Sequence, residues 1–182
     1  MSAPESRATT RTNVGLAGNV SRQVELDWIR LRRARVDVFA ADVDSLPTEL
    51  RYETTQKHRY RYEPDERELS VFAEFRLDVL NDSRGAEREI FVEAEFQLRY
   101  RVNEAFVASE GELRWFAELN ATLNSWPYWR ELVQTVIGRA GIGSLTLPLW
   151  RAPAVPVDEE GAPVKPDRVP ASPPEVTQAP VR

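Results

Sequence analysis

Cysteine is absent from the chain, which excludes thiol catalysis, thiolate-bound zinc and disulfides and leaves redox chemistry silent about compartment. Histidine occurs once, as His58, so a single chain cannot supply a His-x-x-x-His metal pair. No apolar run approaches the roughly 20 residues that span a bilayer. Residues 1–15 also lack the apolar core of a secretory signal. They carry Arg, Ser and Thr and almost no acid, which keeps a mitochondrial transit segment as a competing reading of a mobile arm. A phosphate-cradling loop is missing too, because Gly138, Gly141 and Gly143 flank a helix end rather than open a helix after a strand. Basic excess is likewise absent. The formal charge is -5, and Arg is interleaved with Glu and Asp, so nothing indicates nucleic-acid binding. These absences predict a soluble cytoplasmic protein with no membrane insertion, no metal and no cofactor.

What is present is enough for one ordinary domain: 182 residues, 42% hydrophobic and 29% charged. From Val24 to Phe39 the apolar residues alternate, but the parity shifts twice. Val24, Leu26 and Trp28 share one parity, Ile29 and Leu31 the other, and Ala34, Val36 and Val38 return to the first. A long strand with a bulge near Trp28–Ile29 and an adjustment near Arg32–Arg33 produces this pattern; a short helix before Arg33 is the alternative. Asp44–Pro47 marks a turn or crossover. Leu50, Tyr52, Thr54, Gln56, His58, Tyr60 and Tyr62 then share a parity, and Glu63–Glu66 breaks the strand. Leu69 to Val79 alternates again, closed by the hairpin-like Asn81–Gly85. Ile90, Val92, Ala94, Phe96, Leu98, Tyr100 and Val102 form the clearest strand, opposed by Glu89, Glu93, Glu95, Gln97, Arg99 and Arg101. Four strands with turn-length links predict an antiparallel sheet with one dry and one wet face.

The period then switches. Leu113, Phe116, Ala117, Leu119 and Leu123 predict a short amphipathic helix, and Ser125-Trp126-Pro127 the start of a second, with proline at a first-turn position. Trp129, Leu132, Val133, Val136, Ile137 and Ala140 follow at helical spacing, Gly141 suits the C-terminal cap, and residues 144–150 read as an extended apolar arm. Beyond Arg151, eight of the thirteen prolines occur and no aromatic, predicting a disordered tail unable to offset its ordering entropy. The expected organisation is an arm over 1–20, a domain over 21–150 and a proline-rich tail over 151–182. The class is α+β: a four-stranded antiparallel sheet followed by two helices.

Converging catalytic groups are scarce. His58 reads as a half-buried strand residue, and Glu93 with Glu95 as the solvated side of a sheet, although together they are the candidates for an enzyme acting on a lipid-like substrate. The three Pro-x-x-Pro spacings in the tail read as a spacer. Trp126, Tyr128, Trp129 and Trp150, with Trp115 and Phe116 upstream, are more large rings than one covering stripe requires. A subunit interface or an apolar groove accounts for the surplus.

The same stretch carries a resemblance. Residues 124–141 hold an aromatic residue, then Pro127-Tyr128-Trp129-Arg130-Glu131 and a helix ending near glycine; Leu145-Thr146-Leu147-Pro148-Leu149 follows. This is similar to the signature of SecB-type chaperones, and the strand order over residues 24–150 matches. The resemblance implies a SecB-like sheet and helices, a homotetramer built as a dimer of dimers, and ATP-independent holding of unfolded or nascent clients in apolar grooves, without cofactor or catalysis. Carried over by position, the client-binding candidates are Trp126, Tyr128, Trp129, Leu132, Val136, Leu145, Leu147 and Trp150. Export-dedicated members dock the ATPase SecA through acids on the exposed sheet face. Asp37 fits one such position, but Arg33 stands where another acid is expected. Residues 23–36 are instead similar to SecB-like chaperones that accompany toxin–antitoxin pairs, which makes a dedicated antitoxin chaperone the alternative to general client holding in export.

Overall fold

Alternation with a period of two dictates a sheet, and the computed structural model, which describes residues 11–39, 51–82, 86–141 and 145–164, contains one. Its strands are β1 (Val24–Val38), β2 (Arg51–Glu63), β3 (Glu68–Asn81) and β4 (Glu87–Val102), antiparallel in the order β1-β4-β3-β2. The two central strands are the two most apolar. Leu69, Val71, Ala73, Phe75, Leu77 and Val79 of β3 lie beside Ile90, Val92, Ala94, Phe96, Leu98 and Tyr100 of β4, and all are buried. The turn signal at Pro64 becomes a single helical turn, Pro64–Glu66, closed by Arg67 in the left-handed region. Asp44–Pro47, Leu50 and most of the Asn81–Gly85 loop fall outside the described residues.

β1 bears out both predicted irregularities. Its register against β4 shifts between Leu26 and Trp28 and again between Leu31 and Arg33, so Asp27 and Arg32 are the extra residues. Each insertion restores the phase. Leu26, Ile29, Leu31, Ala34, Val36 and Val38 all lie opposite the apolar residues of β4. Trp28 departs from its expected face, because the first insertion precedes it. It pairs with Arg99 on the polar side, where the Arg30 guanidinium sits 4.3 Å from its ring centroid.

The two expected helices are one. α2 runs unbroken over Glu110–Arg139, starting from a capping box in which Ser109 and Glu112 satisfy each other's backbone. Pro127 lies inside it. An internal proline removes the bond to the carbonyl four residues earlier, here that of the exposed Leu123. The buried stripe continues across the proline, from Leu113, Phe116 and Ala121 to Trp129, Val133 and Ile137. Burying a large apolar side chain contributes roughly 1.5–3 kcal/mol, so this stripe offsets one lost bond.

Residues 13–21, expected within the mobile arm, form α1 (Asn13–Ser21), capped by Thr12 and burying Ala17 and Val20. Within the proline-rich stretch, residues 151–164 are held in place, while 165–182 fall outside the described residues. Asn13 explains how. Its side chain donates to the Pro153 carbonyl at 2.8 Å and accepts from the Val155 amide at 2.8 Å, and its own amide donates to the Val155 carbonyl. Trp115 donates its indole N–H to the Gly161 carbonyl at 2.7 Å. Val157 joins Ala17, Trp115 and Leu119 in a small second core. Prolines cannot donate, but their carbonyls accept, and this clasp uses them.

Candidate functional site

The aromatic cluster is organised by Phe75 at the middle of β3. Trp129 of α2 stacks on it, with centroids 5.6 Å apart and planes at 16°, and Trp126 meets its edge at 5.7 Å. Trp129 is fully enclosed, whereas Trp126 is only part-buried. Beside them opens a cleft of about 230 Å³ lined by Thr54, Thr55, Gln56, Phe75, Trp126, Trp129 and Trp150. Thr54 and Gln56 lie opposite apolar residues of β3, while Thr55 has the opposite parity. All three line one cleft, so its wall includes the outer edge of β2 and not merely one face. An edge strand offers unpaired backbone donors and acceptors.

Trp150 reaches the cleft from the end of the segment Leu145–Trp150. Three side chains of α2 hold that segment. Trp126 donates its indole N–H to the Pro148 carbonyl at 2.9 Å, Arg130 donates from Nε to the Leu147 carbonyl at 2.8 Å, and Gln134 donates from Nε2 to Thr146 Oγ1 at 3.1 Å. Leu147 is completely buried between these attachments, and Leu149 is exposed. The indole N–H of Trp129 is buried and has no acceptor among the described residues, although such a group costs about 1–3 kcal/mol when left unmade.

Of the eight client-binding candidates, the fold therefore brings Trp126, Trp129 and Trp150 to the cleft. Leu132, Val136 and Leu145 pack part-buried against the main core, and Leu147 is fully buried within it. Tyr128, 49% exposed, leans away toward Phe96 of β4. The sequence reading missed Phe75, the edge residues Thr54–Gln56, and the donors Arg130 and Gln134. The donors had a signal: Trp126, Arg130 and Gln134 recur every fourth residue, on one side of a helix.

A second apolar surface lies on β1. Leu26, Leu31, Val36 and Val38 share the dry side of the sheet, yet remain between 39% and 50% exposed. The wet side is covered differently. Arg59 and Arg32 lie over Phe72, and Arg35, Arg76 and Arg88 over Phe91. The carboxylates there are paired: Asp78 with Arg76 and Arg88, Glu95 with Arg32 and Arg59, and Glu74 and Glu93 both with Arg33. Asp37, the candidate docking acid, is held by Arg35 at 2.8 Å.

The enzyme candidates do not converge. His58 sits on the dry side of β2 and Glu93 and Glu95 on the wet side of β4. The Thr122 hydroxyl donates to the Glu118 carbonyl, so it accepts from His58 Nε2–H at 2.8 Å, fixing the tautomer. Burial pushes the His58 imidazole down to about 4 and the Tyr100 phenol up to about 12. Among the described residues no cluster of three potential metal ligands occurs, and no helix is long and apolar enough to cross a membrane.

No family model matches the chain, and no curated protein matches it. Solved structures do. The Mycobacterium tuberculosis Rv1957 SecB-like chaperone, in complex with a ChAD peptide from the Rv1956 HigA1 antitoxin, aligns with a TM-score of 0.66 and 21% identity over 76% of this chain and 98% of that one. A Streptococcus agalactiae protein of unknown function aligns at a TM-score of 0.40 and 13% identity over 69% and 97%. The first of these shows that the chain has the SecB-like fold.

Proposed function

We propose, with the SecB-like fold as the premise, that the chain is a chaperone that receives an extended apolar segment of another protein in the cleft between β2 and α2. The carrying observation is what lines that cleft. The part-buried Trp126 and Trp150 offer ring surface that tolerates many side chains, beside the enclosed Phe75 and Trp129, and the edge of β2, unpaired among the described residues, offers backbone partners to a peptide strand. Nothing in such binding requires nucleotide, cofactor or bond-breaking chemistry.

Two observations favour a dedicated partner of the antitoxin type over general client holding in export. The neighbour of the same fold is bound to an antitoxin peptide. In addition, the acids on the wet face are paired with arginines, Asp37 and the Arg33-bound Glu74 and Glu93 among them, which leaves little uncompensated charge for SecA. Such a chaperone works in the cytoplasm, where antitoxins act. The exposed apolar side of β1, itself a sheet edge, fits burial against a second protomer, the first step toward the expected homotetramer.

The experiment pairs two titrations. Purified chain is mixed with a labelled ChAD peptide of the HigA1 antitoxin, the ligand of the neighbour of the same fold, and separately with a denatured model client prone to aggregation. Tight peptide binding with little protection of the model client supports the dedicated reading. Near-stoichiometric protection of the model client favours the general holdase, and failure of both titrations removes the chaperone assignment.

A further inference from the structure

Resting on that reading, one contact identifies how the cleft recognises its occupant. Leu145–Trp150 is bound to α2 in the manner of a peptide ligand. Its attachments use two main-chain carbonyls, of Leu147 and Pro148, and one hydroxyl, of Thr146, read by donors at Trp126, Arg130 and Gln134. The donors ascend the helix while the acceptors descend the segment, so the two run antiparallel. One side chain, Leu147, is the apolar anchor, and it is fully enclosed. Two of the three hydrogen bonds are exposed to solvent, where water competes for each partner. On the N-terminal side the segment follows the end of α2, and on the other side Arg151 and Ala152 are exposed before Asn13 secures the chain again at Pro153. Trp150, part-buried, reaches the same cleft that Trp126 and Trp129 line.

We propose that the side of α2 carrying Trp126, Arg130 and Gln134 is a main-chain-reading peptide track occupied in cis by Leu145–Trp150, and that an incoming extended polypeptide takes this segment's place. The ligand class follows from the chemistry of the donors. Two of them, Trp126 and Arg130, select consecutive main-chain carbonyls beside one branched apolar residue, and Gln134 adds a bond to a polar neighbour, here the Thr146 hydroxyl. Binding is thus an exchange: the hydrogen bonds of the resident segment are replaced by equivalent ones, and affinity is set by how much better the newcomer fills the cleft.

The test pins the resident segment. Because the chain has no cysteine, Gln134→Cys with Thr146→Cys creates one reactive pair, which a short bis-maleimide bridges in the geometry already present. Bridged and unbridged samples of the same variant are titrated with two fluorescent probes, a peptide of residues 145–150 of this chain and a reduced, carboxymethylated unfolded protein. The variant gives up the Gln134 donor and keeps those of Trp126 and Arg130. Exchange therefore predicts that both probes bind the unbridged protein more weakly than the native chain, that they compete with each other, and that bridging weakens both by a further tenfold or more. Equal binding by bridged and unbridged protein overturns the exchange while leaving the cleft as a polypeptide site. Absence of binding to the unbridged and the native protein alike removes the polypeptide-binding reading itself, and the exchange with it.

Discussion

Trp129 and Trp126 are three residues apart on α2, and both meet Phe75, but Trp129 lies flat on its ring and is sealed while Trp126 meets its edge and stays part-exposed. The two indoles thus divide the labour of the aromatic cluster. Trp129→Ala leaves a cavity in the main core and is expected to lower stability by about 3–5 kcal/mol, seen as a fall in the urea midpoint. Tyr128→Ala, on the exposed side, is expected to stay within about 0.5 kcal/mol of the native protein. Similar losses in the two variants would show that the burial pattern is misassigned.

Acid stability carries the signature of His58. Its Nε2–H is committed to Thr122, so a second proton must be added at Nδ1 in a buried setting, and the imidazole is pushed down to about 4 from 6.5. The unfolded chain takes up that proton near pH 6.5, whereas the folded chain resists until about pH 4. The contribution is therefore fully present above pH 6.5 and is lost as pH falls through this window, by about 1.4 kcal/mol per pH unit and roughly 3 kcal/mol in all. Urea unfolding at pH 7 and 4.5 should show a steeper decline for the native protein than for His58→Gln. Parallel declines would place the proton uptake elsewhere.

Much of the sheet was legible because its signals are local. The alternation of Ile90 to Val102 specifies a half-buried strand, and two parity shifts between Val24 and Val38 announce two inserted residues. The helical half was harder. Ser125-Trp126-Pro127 carries the local chemistry of a helix start, but the enclosed stripe through Leu113, Ala121, Trp129 and Ile137 keeps α2 continuous across Pro127. α1 and the segment after Arg151 have almost no periodicity. They are held by bonds between Asn13 and Pro153 or Val155, partners far apart in sequence. The aromatic cluster was visible as a surplus of rings near Trp126, but strand order was not, so the edge of β2 entered the cleft only with the structure.

The clasp that joins the two ends depends on a glycine. A Cβ on Gly111 would lie 2.7 Å from the Glu160 carbonyl oxygen, a backbone atom that cannot swing aside. Gly111→Val is expected to cost about 1–3 kcal/mol and to expose the chain after Arg151 to trypsin. An unchanged melting temperature and digestion pattern would mean that the clasp contributes nothing to stability.

Assembly has its own test on β1. Leu31 and Val36 are exposed on the dry side of an edge strand, and a partner protomer would bury both. Leu31→Asp is expected to reduce the mass measured by light scattering to that of a smaller species, while circular dichroism stays native. A monomeric native protein, or a variant of unchanged mass, would refute β1 as the contact.

The most direct measurement places a photo-crosslinker inside the cleft. Benzoylphenylalanine at Thr55, on the outer edge of β2, is irradiated with a labelled unfolded polypeptide present, alongside a control at Arg101 on the wet face of β4. The cleft reading predicts covalent capture from position 55 and little from 101. Equal capture at both, or capture from 101 alone, would contradict it.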